Sequence, residues 1–490
     1  MSADYASLAR ALTGEAALVV GALAVLGFDL LAGRKLDLAD RWRVATCIGL
    51  AAVTAALVLG LNAVPQGLVF ERVLRVDMLG AAARVGALIL AGFTLVIASE
   101  TTRLRHPAEF VAIVLFATTG FLLMAVAQNL LLAFLAIELA SLSLYVLVGF
   151  DKRRPESAEA ALKYFLFGGM SAAFLLFGFS LLYGLTGSLD FQDVAVALSH
   201  GGLTPPIALA LVMVLVAFGF KAAAAPFHLW APDAYQGAPS TAAALIASAS
   251  KLAGLTLFAH LLWPAFGPAA GRLLGMVAQP EWFRVVAALS LASLLVGNLG
   301  ALAQSNLRRL LAYSAIAHAG ALLLGVMTAG TSGPGALFYY AMTYGLATVG
   351  AFGVIAALEH AGVGPRIEDL AGLHRRSPLL AGCLGVFVLS LAGIPPLAGF
   401  FGKFFVFTAA LRIGGPGSLA GGLAFAAIFL SAVALYYYLI VLKQALVASA
   451  KPGNDSRIAV PFTTALALIA IAGLVVLLGL FPSLIAGIAW

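Results

Sequence analysis

The stretch Phe218-Gly-Phe-Lys221-Ala-Ala-Ala-Ala-Pro226-Phe-His228-Leu-Trp230-Ala-Pro232-Asp233-Ala-Tyr235-Gln-Gly-Ala-Pro239 decides the fold. It continues a run that is apolar from Ile207 to Phe220, so Lys221 lies inside a membrane-length helix. Pro226 follows five residues later, removes a backbone donor and breaks the helix. A charge in hydrocarbon costs about 2.5–3.5 kcal/mol on insertion scales. Irregular backbone survives at that depth only when buried in protein or lining a wet cavity. A lysine and a break in one segment point to an ion pathway through a membrane.

The whole chain agrees with that reading. Its 490 residues are 62% hydrophobic and 10% charged, with a mean hydropathy of +1.05. An ordinary soluble domain carries about 25% charged residues, so the chain reads as an all-α polytopic membrane protein with no room for a soluble domain. In a membrane protein, the net charge of +7 is better assigned to loops on one side of the bilayer than to nucleic-acid binding. Cys47 and Cys383 both fall in apolar runs, without a CxxC motif or a Cys/His cluster, and read as core residues. The N-terminus lacks a basic n-region and an AxA site, so Ala16 to Leu31 reads as a retained first helix.

Apolar runs of about 20 residues predict fourteen helices, at 9–33, 43–63, 78–99, 107–127, 129–149, 160–186, 204–231, 239–263, 283–304, 307–328, 334–358, 378–411, 417–443 and 459–488. The seventh and twelfth are long and broken, and Ser188–Gly202 reads as a short amphipathic surface helix. Loops after odd helices carry Arg34, Lys35, Arg41, Arg43, Arg103, Arg105, Lys152, Arg153, Arg154, Arg308, Arg309, Arg366, Arg375, Arg376, Lys443, Lys451 and Arg457. The N-terminus and the even loops carry only Arg10, Arg72, Arg75, Arg272, Arg284 and Arg412. The positive-inside rule places the odd loops in the cytoplasm and both termini outside.

An internal repeat is visible. Ala161-Leu162-Lys163-Tyr164 aligns with Ala336-Leu337-Phe338-Tyr339 at an offset that also pairs Ala172 with Ala347, Phe177 with Phe352 and Gly178 with Gly353. The offset carries helix six onto helix eleven. A step of five helices reverses direction, so the two copies are inverted, an arrangement found in transporters. The expected organisation is a three-helix segment (1–106), a first repeat (107–263), a second repeat (283–443) and a last helix (459–490).

The candidate proton-carrying residues are the ionisable groups inside these helices. Glu138 sits in the middle of LLLAFLAIELASLSLYVL. Burial favours the neutral forms of a carboxyl and an amine, and contact between them restores both charges. A pair of this kind can be opened or closed by a neighbouring charge. Lys251 lies mid-helix near Ser248 and Ser250, with roughly ten helical residues on each side, too deep for its ammonium to snorkel to an interface. Lys163, near the DKRRPESAEA loop, has that escape available. Lys403 follows the second break, Pro395-Pro396, in LAGIPPLAGFFGKFFVF. His228, in the first break, and His318, in RRLLAYSAIAHAG, complete the set; His260, Glu15 and Asp29 have no comparable context. Phosphate loops, dinucleotide fingerprints, axial histidine pairs and thiolate clusters are absent from the sequence, so energy for transport has to come from a gradient or a partner.

KAAAAPFHLWAPDAYQGAP, LAGIPPLAGFFGKFFVF, RRLLAYSAIAHAG and ALKYFLFGGMSAAFLLFGFSLLYGLTGS, taken together, resemble the antiporter-like membrane subunits of bacterial NADH:quinone oxidoreductase, respiratory complex I. That family is related to the multi-subunit Na+/H+ antiporters. Within it, the resemblance is to the subunit N branch, whose sisters usually read PDAHxxAP where this chain has Asp233 to Pro239. One departure is Ser240-Thr241, where Thr-Pro is common. The resemblance implies that Glu138 and Lys221 form the charged pair of one half-channel and Lys251 is the central relay. It places Lys403 near the exit, with Lys163 and His228 as accessory groups. It also implies no cofactor in this chain, with NADH, FMN, iron–sulfur clusters and quinone held by partner subunits. The expected partners are the sister antiporter-like subunits, small membrane subunits and the lipid bilayer, with no nucleic acid, in a bacterial inner membrane. The alternatives from the residues themselves are a Na+/H+ antiporter subunit and a scaffold with frozen ion pairs. The relay reading requires Lys251 to lie between Lys221 and Lys403.

Overall fold

The computed structural model describes residues 5–62, 67–100, 104–201, 204–266, 272–273, 276–277, 282–330, 334–450 and 456–487. Arg103 and Lys451 of the loop charges, and both chain ends including Trp490, lie outside them. Among the described residues, thirteen helices are long and apolar enough to cross a membrane, and a fourteenth is built from two halves. The membrane helices are numbered α1 (Thr13–Leu31), α2 (Leu38–Asn62), α3 (Met78–Ala98), α4 (Pro107–Val126), α5 (Leu130–Val148) and α6 (Pro155–Thr186). The seventh is split into α7a (Pro205–Ala222) and α7b (Trp230–Gly237), and α8 into Ser240–Ala247 and Ala249–Leu261. Then follow α9 (Trp282–Leu302), α10 (Leu307–Thr328), α11 (Gly335–His360), α12a (Pro378–Ala392), α12b (Ala398–Arg412), α13 (Leu419–Leu446) and α14 (Phe462–Leu480). The surface helix is Phe191–Gly201. Two short antiparallel ribbons, Gly67–Val69 with Leu74–Val76 and Arg272–Leu273 with Met276–Val277, are the described strands.

Local chemistry sets the helix ends. Pro107, Pro155 and Pro378 open α4, α6 and α12a, where the first N–H needs no intrahelical partner. The Asn129 and Asn306 side chains accept from Leu131 and Arg308 N–H groups, each at 2.9 Å, to cap α5 and α10. Asp77 does the same for α3 through the Gly80 N–H at 2.8 Å. Burial helps, acting alone, to raise the Asp77 carboxyl, but His260 beside it, the Gly80 N–H and Arg75 outweigh that and hold it at about 2.

α8, α10 and α11 are apolar all round and enclosed on nearly every side, whereas α1, α2 and α6 are largely exposed at the periphery. The enclosed helices carry Lys251 and His318, which places both inside protein. The chain is therefore an all-α polytopic fold with broken seventh and twelfth helices.

Several sequence expectations need correction. The seventh helix does not stop at 231: α7b carries it to Gly237. The eighth is interrupted at Ser248 (φ −112°, ψ −86°), three residues before Lys251. Cys47 is exposed on the outside of α2 rather than in the core, while Cys383 is buried; both are free thiols. Glu15, set aside in the sequence, is buried against Arg84, whose Nη2 lies 2.5 Å from Glu15 Oε2 and 3.0 Å from the Ala11 carbonyl. An apolar run around each residue hid the pairing, since a helix-to-helix partner leaves no signal at fixed spacing.

Candidate functional site

Lys221 sits in the last turn of α7a, where Ala223 turns into the left-handed region (φ 58°) and sends its N–H back to Gly219 and Phe220. The break leaves backbone groups to satisfy at membrane depth, and an orphan there costs several kcal/mol. The Ala225 N–H donates to Ser293 Oγ of α9 at 2.8 Å, and Trp230 Nε1 donates to the Phe220 carbonyl at 3.2 Å. Lys221 itself is 6% exposed and donates to Ser141 Oγ of α5 at 3.2 Å. Glu138, one turn before Ser141, lines the same small cavity of about 10 Å³ with Tyr145, Ser171 and Lys221. That is room for about one water. Glu138 and Lys221 share this space without a direct ion pair. Glu138 is half-buried on a stripe whose neighbours Leu135 and Leu142 are exposed, so its carboxylate stands where α5 meets the protein's exterior.

Lys251 is next inward. α8 approaches Lys221 so closely that a Cβ at Gly254 would stand 3.1 Å from Lys221 Cγ. Three residues earlier, Lys251 is 2% exposed and its Nζ donates to the Ala315 carbonyl of α10 at 2.5 Å. The same ammonium lies 5.6 Å from the centre of the Tyr344 ring, a cation–π distance. Tyr344 in turn packs against His318, with ring centres 4.8 Å apart.

His318 is the hub between Lys251 and the second break. Its Nδ1 lies 2.7 Å from Tyr340 Oη and its Nε2 3.4 Å from Tyr438 Oη. Tyr438 is hydrogen-bonded to Ser314, and Tyr437 donates to Asn298 Oδ1 at 3.3 Å. Lys403 shares with Asn298, His318, Tyr340, Ser431 and Tyr437 a cavity of about 20 Å³. Its Nζ donates to the Ala392 carbonyl at 2.9 Å, the last of α12a. Gly393 follows at φ 87°, and a Cβ there would stand 3.0 Å from Lys403 Cδ. Glycine serves both the turn and the lysine.

The structure thus brings Lys221, Lys251, His318 and Lys403 into one buried polar series, with half-buried Glu138 at its outer end. Lys163 and His228 are not on it. Lys163 lies at the end of the bundle that carries most arginines, 2.8 Å from Asp233 and 2.6 Å from Glu159, with its side chain 40% exposed. Arg309 holds the other Asp233 oxygen at 2.6 Å. His228 lies in the turn between Pro226 and Leu229, both exposed, where the first break reaches the exterior. Tyr340, Tyr344, Tyr438, Ser314 and Asn298 were missed in the sequence. Their signal was the four-residue spacing of Tyr340 and Tyr344, which apolar neighbours made look like ordinary core.

Comparison with known proteins gives this geometry a lineage. Residues 127–431 match the membrane family described as NADH:quinone oxidoreductase/Mrp antiporter. A protein of Acidobacterium capsulatum named NADH-quinone oxidoreductase subunit N 2 is 46% identical, with 98% of each chain covered. A subunit N of Rhodospirillum rubrum is 37% identical over 86% of this chain and 85% of its own. Among solved structures, a chain of respiratory complex I from Thermus thermophilus superposes with a TM-score of 0.78 at 34% identity, covering 97% of this chain and 98% of that one. A chain of the Mrp complex from Dietzia shares the fold alone, at 20% identity, a TM-score of 0.82 and coverage of 100% and 96%. The chain belongs to the family of antiporter-like membrane subunits of NADH:quinone oxidoreductase and Mrp antiporters.

Proposed function

We propose that this member of the family is a proton-translocating, antiporter-like subunit in the membrane arm of an NADH:quinone oxidoreductase, moving protons along Glu138, Lys221, Lys251, His318 and Lys403. The observation that carries the proposal is the arrangement of three lysines, each no more than 9% exposed, at two helix breaks and between them. A frozen scaffold would be expected to pair such charges with carboxylates; here the three ammonium groups rest on a serine hydroxyl and two backbone carbonyls. Neutral contacts of that kind let a proton leave without stranding a buried counter-charge.

Redox chemistry belongs on this reading to other subunits, which would hold NADH, FMN, iron–sulfur clusters and quinone. This chain would work as the translocase part, beside sister antiporter-like and small membrane subunits. The end rich in arginine would face the cytoplasm of a bacterial inner membrane, with both termini periplasmic. Reporter fusions at Trp490 active only in the cytoplasm would refute that topology. Lys163 and His228 are proposed as accessory groups at the flanks. The Na+/H+ antiporter alternative finds less support, since the Mrp likeness is at 20% identity and that to subunit N at 46%.

The decisive test is Lys221→Ala in the assembled complex. NADH oxidation, assembly on native gels and proton pumping into inside-out vesicles are measured together. Pumping is expected to fall at least tenfold while the complex still assembles. Near-normal pumping overturns the assignment. Lys221→Arg is also expected to be impaired, because guanidinium does not release its proton.

A further inference from the structure

The two helix breaks match residue for residue, Ala223 with Gly393 and Pro226 with Pro396, so that Ala225 matches Pro395. That last pair differs chemically. The Ala225 N–H is held by Ser293 Oγ of α9 at 2.8 Å. Pro395 has no N–H to offer, so the second break cannot be held in the same way. Part of it closes on itself. Ser390 Oγ accepts from the Gly399 N–H at 3.1 Å, and the Leu397 N–H donates to the Ile394 carbonyl at 3.1 Å. The remaining support comes from α14, a helix that the sequence repeat does not include.

Gly479, one residue from the end of α14, lies directly on the break. A Cβ there would overlap the Pro396 carbonyl oxygen and stand 2.7 Å from the Ala398 nitrogen. The hydrogen in its place points at that oxygen, a Cα–H···O contact of the kind found where helices pack closely. One residue earlier, the Leu478 carbonyl would look to residue 482 for its helical donor, and 482 is a proline. Tyr339 Oη of α11 donates to it instead, at 2.7 Å. Tyr339 is buried, and its ring meets Phe405 of α12b edge-on at 5.1 Å. Its neighbour Tyr340 is the partner of His318. The end of α14 is thus joined to the chain on both sides of Lys403, at Pro396 to Ala398 before it and through Tyr339 to Phe405 after it.

We propose that Gly479 and Tyr339 are positioning residues for Lys403: through them α14 holds the second break so that the Ala392 carbonyl faces the Lys403 ammonium. The inference rests on the proton-carrying reading of Lys403. Neither residue hydrogen-bonds the ammonium, whose contact is the Ala392 carbonyl at 2.9 Å. They act on the backbone that carries both ends of that contact, since Ala392 ends the half-helix before the break and Lys403 stands on the one after it. The other groups around Lys403, namely Asn298, His318, Tyr340, Ser431 and Tyr437, come from α9, α10, α11 and α13. A shift of the break therefore moves the lysine relative to these groups and does not carry them along.

The test compares Gly479→Ala, Tyr339→Phe and a control, Gly473→Ala, in the complete complex in inside-out vesicles. Gly473 is on the same helix, and a Cβ there meets nothing within 4 Å. Assembly, NADH oxidation and pumping are measured across a range of pH. Gly479→Ala is expected to lower pumping per NADH severalfold in the complex that assembles. It is also expected to move the pH of half-maximal pumping, because the surroundings of an ammonium set its protonation. Tyr339→Phe keeps the ring on Phe405 but removes the donor from Leu478, and is expected to change both readouts in the same direction by less. Gly473→Ala is expected to match the wild type in both. A purely structural role would lower the amount assembled and leave pumping per NADH and its pH profile unchanged. That result in Gly479→Ala and Tyr339→Phe overturns the proposal, as does an equal loss in Gly473→Ala. If Gly479→Ala does not assemble, Tyr339→Phe decides on the same two readouts. Lys403→Met separates the proposal from the reading beneath it. Pumping lost in Lys403→Met but normal in both positioning variants sinks the positioning role alone, whereas normal pumping in Lys403→Met sinks the proton-carrying reading of Lys403.

Discussion

The two helix breaks are built to one plan and loaded differently. In each, a half-helix ends on a residue in the left-handed region, Ala223 in the first and Gly393 in the second, with a proline three residues later at 226 and 396. The two sets lie 170 residues apart, and the helices run in opposite directions. Lys221 precedes its break, whereas Lys403 follows its own by ten residues. Yet Lys403 reaches back to the Ala392 carbonyl, so its ammonium rests at the C-terminal end of the first half-helix, just as Lys221 lies in the last turn of its own with its ammonium on Ser141 Oγ. The helix dipole is negative there and favours a cation. What the fold repeats is the position of the charge and not the position of the residue. On the inverted arrangement expected from the sequence repeat, equivalent positions for the charge would face opposite sides of the membrane.

If the breaks are equivalent terminals, removing either charge has the same consequence. Lys403→Met is expected to lower pumping at least tenfold, as Lys221→Ala does, with assembly and bound partner subunits unchanged. A Lys403→Met complex that pumps normally breaks the comparison at its centre. Lys251→Met is expected to stop pumping as well, while leaving the Lys221 contact with Ser141 in place. Cross-linking between cysteines placed at Ser141 and near Lys221 would show whether that contact is retained.

A smaller effect is expected from the hub. His318→Gln keeps a polar group between Tyr340 and Tyr438 but removes a titratable one. Pumping is expected to fall severalfold without being abolished, since Tyr340 and Tyr438 remain to order water around Lys403. Wild-type pumping in this variant would detach His318 from the line.

Much of this was legible beforehand because a membrane makes sequence speak clearly. An apolar run interrupted by lysine or by paired prolines has few physical excuses, and Lys221, Lys251 and Lys403 stood out on that ground alone. The fourteen spans followed from length and hydropathy. What stayed hidden depended on contacts between helices. Glu15 and Arg84 lie far apart in the chain and pair only once the helices are assembled. Lys163 had a surface escape legible from its neighbouring loop, but its partner Asp233, seventy residues on, was not. The interruption of α8 at Ser248 has no proline or glycine to announce it. The tyrosines around His318 were indistinguishable from ordinary apolar packing until their hydroxyls had partners.

The smallest expected effects test the plan of the breaks themselves. Gly393 and Ala223 hold matching backbone conformations, but only one is glycine. An L side chain in the left-handed region costs roughly 1–2 kcal/mol. Gly393→Ala meets that cost and also sets a methyl group 3.0 Å from Lys403 Cδ, tighter than ordinary contact. It is expected to destabilise the assembled complex by about 2–3 kcal/mol and to disturb the Lys403 ammonium, lowering pumping as well. Ala223→Gly runs the other way. It relieves the left-handed strain but adds freedom to the unfolded chain, which costs about 0.4–1 kcal/mol. The balance is expected to stabilise by less than about 1 kcal/mol, with pumping unchanged, because no side chain rests on Ala223 as Lys403 rests on Gly393. Thermal unfolding of the detergent-solubilised complex, read by retained assembly after heating, compares the two variants directly. A loss in Gly393→Ala no larger than the left-handed cost itself, with pumping unchanged, would mean that strain at the turns is the whole story and that the lysine packed on Gly393 adds nothing. A larger loss in Gly393→Ala alone, accompanied by loss of pumping, would locate the second terminal at the contact between Gly393 and Lys403.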